Sequence, residues 1–164
     1  MKRGLLLSEF LKIVNDQKND QDRFNLFKNE PSPIVPRVLR MHFHPNITWL
    51  LPEGTPPYKK VSDQPMGYER TTLEREYRRL YIFFDPGQNL SQMKRESLFI
   101  DMLEGLHYSE AEVLCAAKDR KLDKMYPNIK EDLVRLAFPD MLPPKVEESV
   151  KKKRGRKKKV KENV

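Results

Sequence analysis

Eight of the nine residues from Lys151 to Lys159, KKKRGRKKK, are cationic. Lys151, Lys152, Lys153, Arg154, Arg156, Lys157, Lys158 and Lys159 can each neutralise a phosphate and release its condensed counterion, a sequence-independent source of nucleic-acid affinity. The ninth residue, Gly155, has no side chain, so the backbone there can approach the floor of a minor groove. Arg154 and Arg156 then point along the groove toward thymine O2 and adenine N3. That geometry suits DNA better than RNA, and DNA is the expected nucleic-acid partner.

The triplet Arg154-Gly155-Arg156 resembles the core of the AT-hook, a minor-groove reader. The chain departs from that motif at Lys157, where the motif places a proline that holds the backbone extended. The expectation is therefore binding dominated by charge, with little preference for A·T-rich sequence.

A second candidate is the segment WLLPEGTPPY. Its polyproline-like run Pro52, Pro56, Pro57 between Trp49 and Tyr58 could dock a protein partner. The alternative is an ordered loop anchored on the domain by Trp49 and Leu50. Other chemistry is thin. His42 and His44 lie two apart, but only His107 is left as a third histidine, and neither a metal site nor a cofactor is expected. Cys115 is the single cysteine, which excludes an intrachain disulfide and a cysteine zinc cluster. No phosphate-cradling glycine loop, HExxH or GxSxG is present, no acid pair stands out, and the reading is non-enzymatic.

Charge is unevenly placed. Of the net +8, residues 143–164 hold ten Lys/Arg and three Glu, whereas the preceding 142 residues hold 22 basic and 21 acidic groups. A nearly neutral body with a basic arm is the organisation this implies. The opening MKRGLLLSEFLKIV reaches Ser8 and Glu9 too soon for a signal-peptide apolar region. No stretch approaches the roughly 20 apolar residues of a membrane helix, and no membrane partner is expected.

The elements that would position these groups are helical. Leu6, Phe10, Ile13 and Val14 predict a helix over 5–17, and Phe24 and Phe27 a short second one. Three prolines in EPSPIVP argue against a long helix there, with a brief one following through Val38, Leu39 and Met41. Residues 44–68 read as an extended proline-rich connection lying against the domain. Thr71 with Glu74 predicts a capping box for a helix with stripe Leu73, Tyr77, Leu80, Tyr81, Phe84, and with Glu74 paired to Arg78. Asn89 or Ser91 starts a central helix with Lys94, Ser97, Asp101 and Glu104 outside and Phe99 and Leu103 inside. Ser109 with Glu112, then Asn128 with Glu131, cap two more, the first running to about Lys121 and the second carrying Leu133, Leu136 and Ala137. The fold class is all-α: an irregular bundle of about six to seven short helices over residues 1–142. Residues 143–164 form a basic tail too poor in apolar groups to order alone.

Four segments, SEFLKIVNDQK, WLLPEGTPPY, KRESLFIDMLEGLHYSEAEVLCAAKDRKL and LVRLAFPD, together resemble an uncharacterised protein family of contractile-tailed bacteriophages, including cyanophage relatives. The resemblance spans most of residues 5–140 and leaves out the tail. It implies a viral protein in the cytoplasm of a host bacterium and assigns no activity, ligand or residue role. The combined expectation is a phage accessory protein whose helical domain binds an unidentified protein or itself, and whose arm binds nucleic acid. The alternative is a virion structural or assembly protein whose tail touches packaged DNA or an acidic partner surface.

Overall fold

A computed structural model of the chain describes residues 4–61 and 63–145. The basic segment Lys151–Lys159 lies outside the described residues. Among them there are eight α-helices, one 3-10 helix and no strand.

Helices α1 and α2 pack together, and α3 packs on α6. Helix α1 (Leu7–Asn15) buries Leu7, Phe10, Leu11 and Val14. Its start is held by the Leu6 N–H donating to Glu9 Oε2 at 2.8 Å. The expected start at about Leu5 is two residues too early, and Leu5 stays 56% exposed. In α2 (Asp20–Asn29) the Asn19 side chain accepts from the Asp22 N–H. Phe27 of α2 sits edge-on between Phe10 and Phe138, at 6.1 and 5.7 Å between ring centroids. Helix α3 (Ile34–Phe43) begins among the prolines that were expected to delay it. Pro33 is its cap and Pro36 lies in the first turn, where an N–H has no acceptor within the helix, so these prolines start the helix.

A strap, residues 44–61 and 63–72, then crosses the domain without regular structure. It leads into α4 (Leu73–Glu76) and a 3-10 helix (Tyr77–Phe83). Here three expectations are corrected. Thr72, not Thr71, caps α4 by accepting from the Arg75 N–H. With three residues per turn in place of 3.6, the inward stripe becomes Leu73, Leu80 and Phe83, while Tyr81 is 45% exposed. The same tighter winding separates Glu74 from Arg78: Glu76 pairs with Arg79 at 3.0 Å, and Arg78 donates to the Tyr77 hydroxyl.

Helix α5 (Gln92–Gly105) is capped by Ser91 and buries Phe99, Met102 and Leu103, with Lys94, Ser97, Asp101 and Glu104 exposed as expected. It packs on α6 (Tyr108–Lys118), which also packs on α3 and α1. Gly105 ends α5 where the strap passes closest. A Cβ there would meet Arg70 at 2.9 Å and Thr71 at 3.1 Å, and its carbonyl accepts from the Thr71 N–H. Helix α6 is capped by His107, not Ser109, and stops at Lys118 rather than Lys121. A short α7 (Leu122–Met125) and α8 (Glu131–Ala137) follow. Asn128 does not cap α8; it bonds to Asn15 through both its backbone N–H and its side-chain amide. Leu136 faces solvent at 69% exposure, whereas Leu133, Val134 and Ala137 face α2 and the core.

Leu103 is 1% exposed in the middle of this packing. Leu103→Ala is expected to cost at least about 2 kcal/mol in urea unfolding. Asp101→Ala on the opposite face is expected to cost no more than about 0.5 kcal/mol. Equal losses would contradict the helix phase.

Candidate functional site

The aromatic ends of the proline-rich segment turn inward. Trp49 packs edge-on against Phe84, 5.6 Å between centroids, and Tyr58 is half-buried. Burial raises the Tyr58 phenol above its ordinary range. Pro52 and Pro57 are exposed and Pro56 is half-buried. The five residues singled out from the sequence thus lie on one strap but do not converge on one surface.

Side chains of the helices fasten this strap. Lys118, at the end of α6, has a side chain only 2% exposed. Its Nζ donates to the Pro52 carbonyl at 2.8 Å, the Gly54 carbonyl at 3.0 Å and Asp119 Oδ1 at 2.5 Å, which uses all three of its donors. Asp119 Oδ2 in turn accepts from the Gly54 N–H. Gly54 has a φ of 93°, a left-handed conformation that glycine adopts without strain. Further along, Glu104 accepts from the Lys59 N–H and Lys60 pairs with Glu112 at 2.6 Å. Arg120 performs a related task for α3. Its guanidinium donates to the carbonyls of His42, His44 and Ile47 at 2.7 to 2.8 Å, covering the helix end. The Arg120 backbone itself has a φ of 55°.

The three histidines do not converge. His42 is buried, which lowers its pKa, and His44 accepts from the Asn46 N–H. His107, 2% exposed, donates through Nε2 to the Gln64 carbonyl and accepts through Nδ1 from the Ser109 N–H and hydroxyl. A donating Nε2 fixes the tautomer, so this Ser–His contact is a helix cap whose second partner is main chain. Ser109 also touches the Ser8 hydroxyl at 2.8 Å, tying α6 to α1. Among the described residues no group of three or more His, Cys, Asp or Glu side chains is placed to hold a metal ion. Cys115 is buried, and burial pushes its thiol up to about 11, so it stays protonated and unreactive at neutral pH.

The feature that sequence reasoning missed is a groove of about 820 Å³ between the start of α1, the start of α3 and the start of α6. Leu5, Phe10, Ile34 and Val35 supply an apolar wall. Glu30, Glu69, Glu74 and Glu110 supply carboxylates, with Arg75 the cation among the lining residues. Glu110 is 1% exposed. One of its oxygens accepts from the Leu73 N–H at 3.0 Å, which starts α4; the other, Oε1, has no hydrogen-bond partner. Burial, reinforced by the nearby charges of Glu69, Glu74 and Glu9 and only partly offset by the Leu73 bond, raises its pKa to about 7. Spacing along the chain carries no sign of this, because the groove's acids come from three separate stretches, Glu30, Glu69 with Glu74, and Glu110.

Among the described residues no helix is long and apolar enough to cross a membrane. No curated protein and no solved structure matches the chain. A family of unknown function, DUF6433, has a sequence model that matches residues 10–124, from α1 into α7 and short of the basic segment, and the chain belongs to that family.

Proposed function

We propose that this chain is a non-enzymatic accessory protein of a tailed phage, acting in the host cytoplasm. Its helical body serves protein interaction, and its basic arm, residues 151–159, holds nucleic acid by charge. The segregation of charge carries the reading: eight cations in nine residues follow a body of nearly balanced charge. Within the body, Arg23, Arg95, Lys118, Arg120 and Arg135 direct their donors to carbonyls and carboxylates of the domain itself. These five cations are engaged within the body, and phosphate binding is assigned to the arm. The likeness of four body segments to phage proteins supports the setting, and the fastened strap, with Pro52 and Pro57 outward, is the surface assigned to a protein partner.

The test is titration of a short DNA duplex with the full chain at several salt concentrations. With about six phosphates neutralised, log K should fall against log salt with a slope of roughly −5. Deleting residues 151–159 should remove nearly all binding. Equal, equally salt-sensitive binding by the truncated chain would place the contact surface elsewhere.

A further inference from the structure

We propose that the acidic groove is a docking site for a polybasic peptide, and that its occupant is the chain's own segment 151–159. The docking stands apart from the nucleic-acid reading above; the competition that follows from it rests on that reading.

The groove has the chemistry of a receptor for lysine and arginine. Its apolar wall suits their aliphatic stems, and its carboxylates suit their charged ends. Glu110 Oε1 is a buried acceptor without a donor, at the floor of an otherwise accessible cavity. An ammonium or guanidinium would supply that donor and offset the carboxylates that now repel one another across the groove.

Charge selects the occupant: segment 151–159 brings eight cations to the carboxylates, against two side chains from Lys2 and Arg3. Arg135 holds the Pro143 carbonyl and Lys145 holds Asp132, so the described chain ends on α8. Helix α8 packs on α2, and Phe138 touches Phe27. Glu30 of the groove lies three residues beyond Phe27, about one helical turn or 5 Å. The five residues 146–150 can span up to about 17 Å. Asp132 lies about 9 Å along α8 from Phe138, so the start of the run stands farther off, but residues 146–159 together can extend to about 48 Å and bring its cations to the groove. The tether raises their local concentration to the order of millimolar. Lys2 and Arg3, which precede Gly4 on the groove, also lie outside the described residues and are the rival occupant.

Docking and phosphate binding would use the same cations, so an occupied groove would hold back the arm until nucleic acid displaces it. Zero-length carbodiimide coupling of the full chain, mapped by mass spectrometry, tests this. The expected products join lysines of 151–159 to Glu30, Glu69 or Glu74 within one chain, at a yield independent of protein concentration and suppressed by a DNA duplex. Glu110→Gln should lower that yield severalfold. Products from Lys2 alone, products that require high protein concentration, or no groove products would each overturn the proposal. In parallel, Glu69→Gln with Glu74→Gln should raise duplex affinity about fivefold more than Asp16→Asn with Asp22→Asn, an equal charge change at the far ends of α1 and α2. Equal gains would overturn the competition. Groove products from a chain that binds no duplex would retain the docking and reject the nucleic-acid function.

Discussion

Lys118→Met is expected to lower unfolding stability by about 3–5 kcal/mol, because it removes one half of a buried ion pair. The methionine fills most of the space but donates nothing. The Pro52 and Gly54 carbonyls lose their donor, and the Asp119 carboxylate, whose side chain is 7% exposed, retains only the Gly54 N–H. Part of the loss should appear as release of the strap before the body unfolds. Trp49, the single tryptophan, lies on that strap against Phe84 and reports the release as a red shift in its emission. Lys121→Met is the matched control. Its Nζ is 4.0 Å from Glu53 with both side chains largely exposed, and its loss should cost no more than about 0.5 kcal/mol. A Lys118 variant as mild as this control, with unshifted Trp49 emission, would show that the strap is held by its apolar contacts alone.

Glu110→Gln is expected to do the opposite and stabilise the protein in a pH-dependent way. The Glu110 carboxyl releases its proton near 4.5 when unfolded and near 7 when folded. Between those values the folded state binds more protons than the unfolded state, so this residue's contribution to stability falls as pH rises. Below about pH 4.5 both states hold a neutral carboxyl and the contribution is flat. Above about pH 7 the folded state carries the full cost of a buried charge, about 3 kcal/mol for a shift of this size. Glutamine has no such charge and retains an acceptor for the Leu73 N–H. The stability difference between variant and parent should therefore grow by about 3 kcal/mol from pH 4.5 to pH 8 in urea unfolding. Performing the series in high salt screens the arm. A difference that stays constant across that range would mean that Glu110 is ionised in the folded protein throughout.

Legibility in the sequence followed the range of the interactions. Helix α5 was readable because its phase is set by its own residues, Phe99 and Leu103 inward and Lys94 and Asp101 outward; of the two starts the sequence offered, Asn89 and Ser91, the cap is Ser91. Phe27 was readable as part of an apolar helix but not as the ring between Phe10 and Phe138. The choice between adjacent caps was not readable. Thr71 and Thr72 are alike in a local window, and Thr72 wins where Thr71 is drawn to Gly105 by its backbone and to Glu76 by its hydroxyl. His107 displaced Ser109 as the cap of α6 because its other nitrogen has a carbonyl waiting at Gln64. The 3-10 winding after Glu76 moved an inward position from Phe84 to Phe83, a change that a 3.6-residue period cannot register. The groove was invisible for the same reason in stronger form. Glu30, the pair Glu69 and Glu74, and Glu110 stand far apart along the chain, and what makes Glu110 unusual is the burial that tertiary packing imposes.

Arg120 illustrates how one position can be held by two opposed demands. Its backbone φ of 55° is the conformation that follows many helices and that glycine fills without strain; any side chain there costs about 1 kcal/mol. Its guanidinium meanwhile closes the end of α3 through three carbonyls. Substitution is thus trapped between the two. Glycine would relax the turn and undo the clamp, lysine would keep the charge but lose the fork that reaches several oxygens at once, and asparagine would suit the backbone yet fall short of α3. Each of these replacements is therefore expected to loosen the end of α3, although nothing in the local sequence announces a constraint.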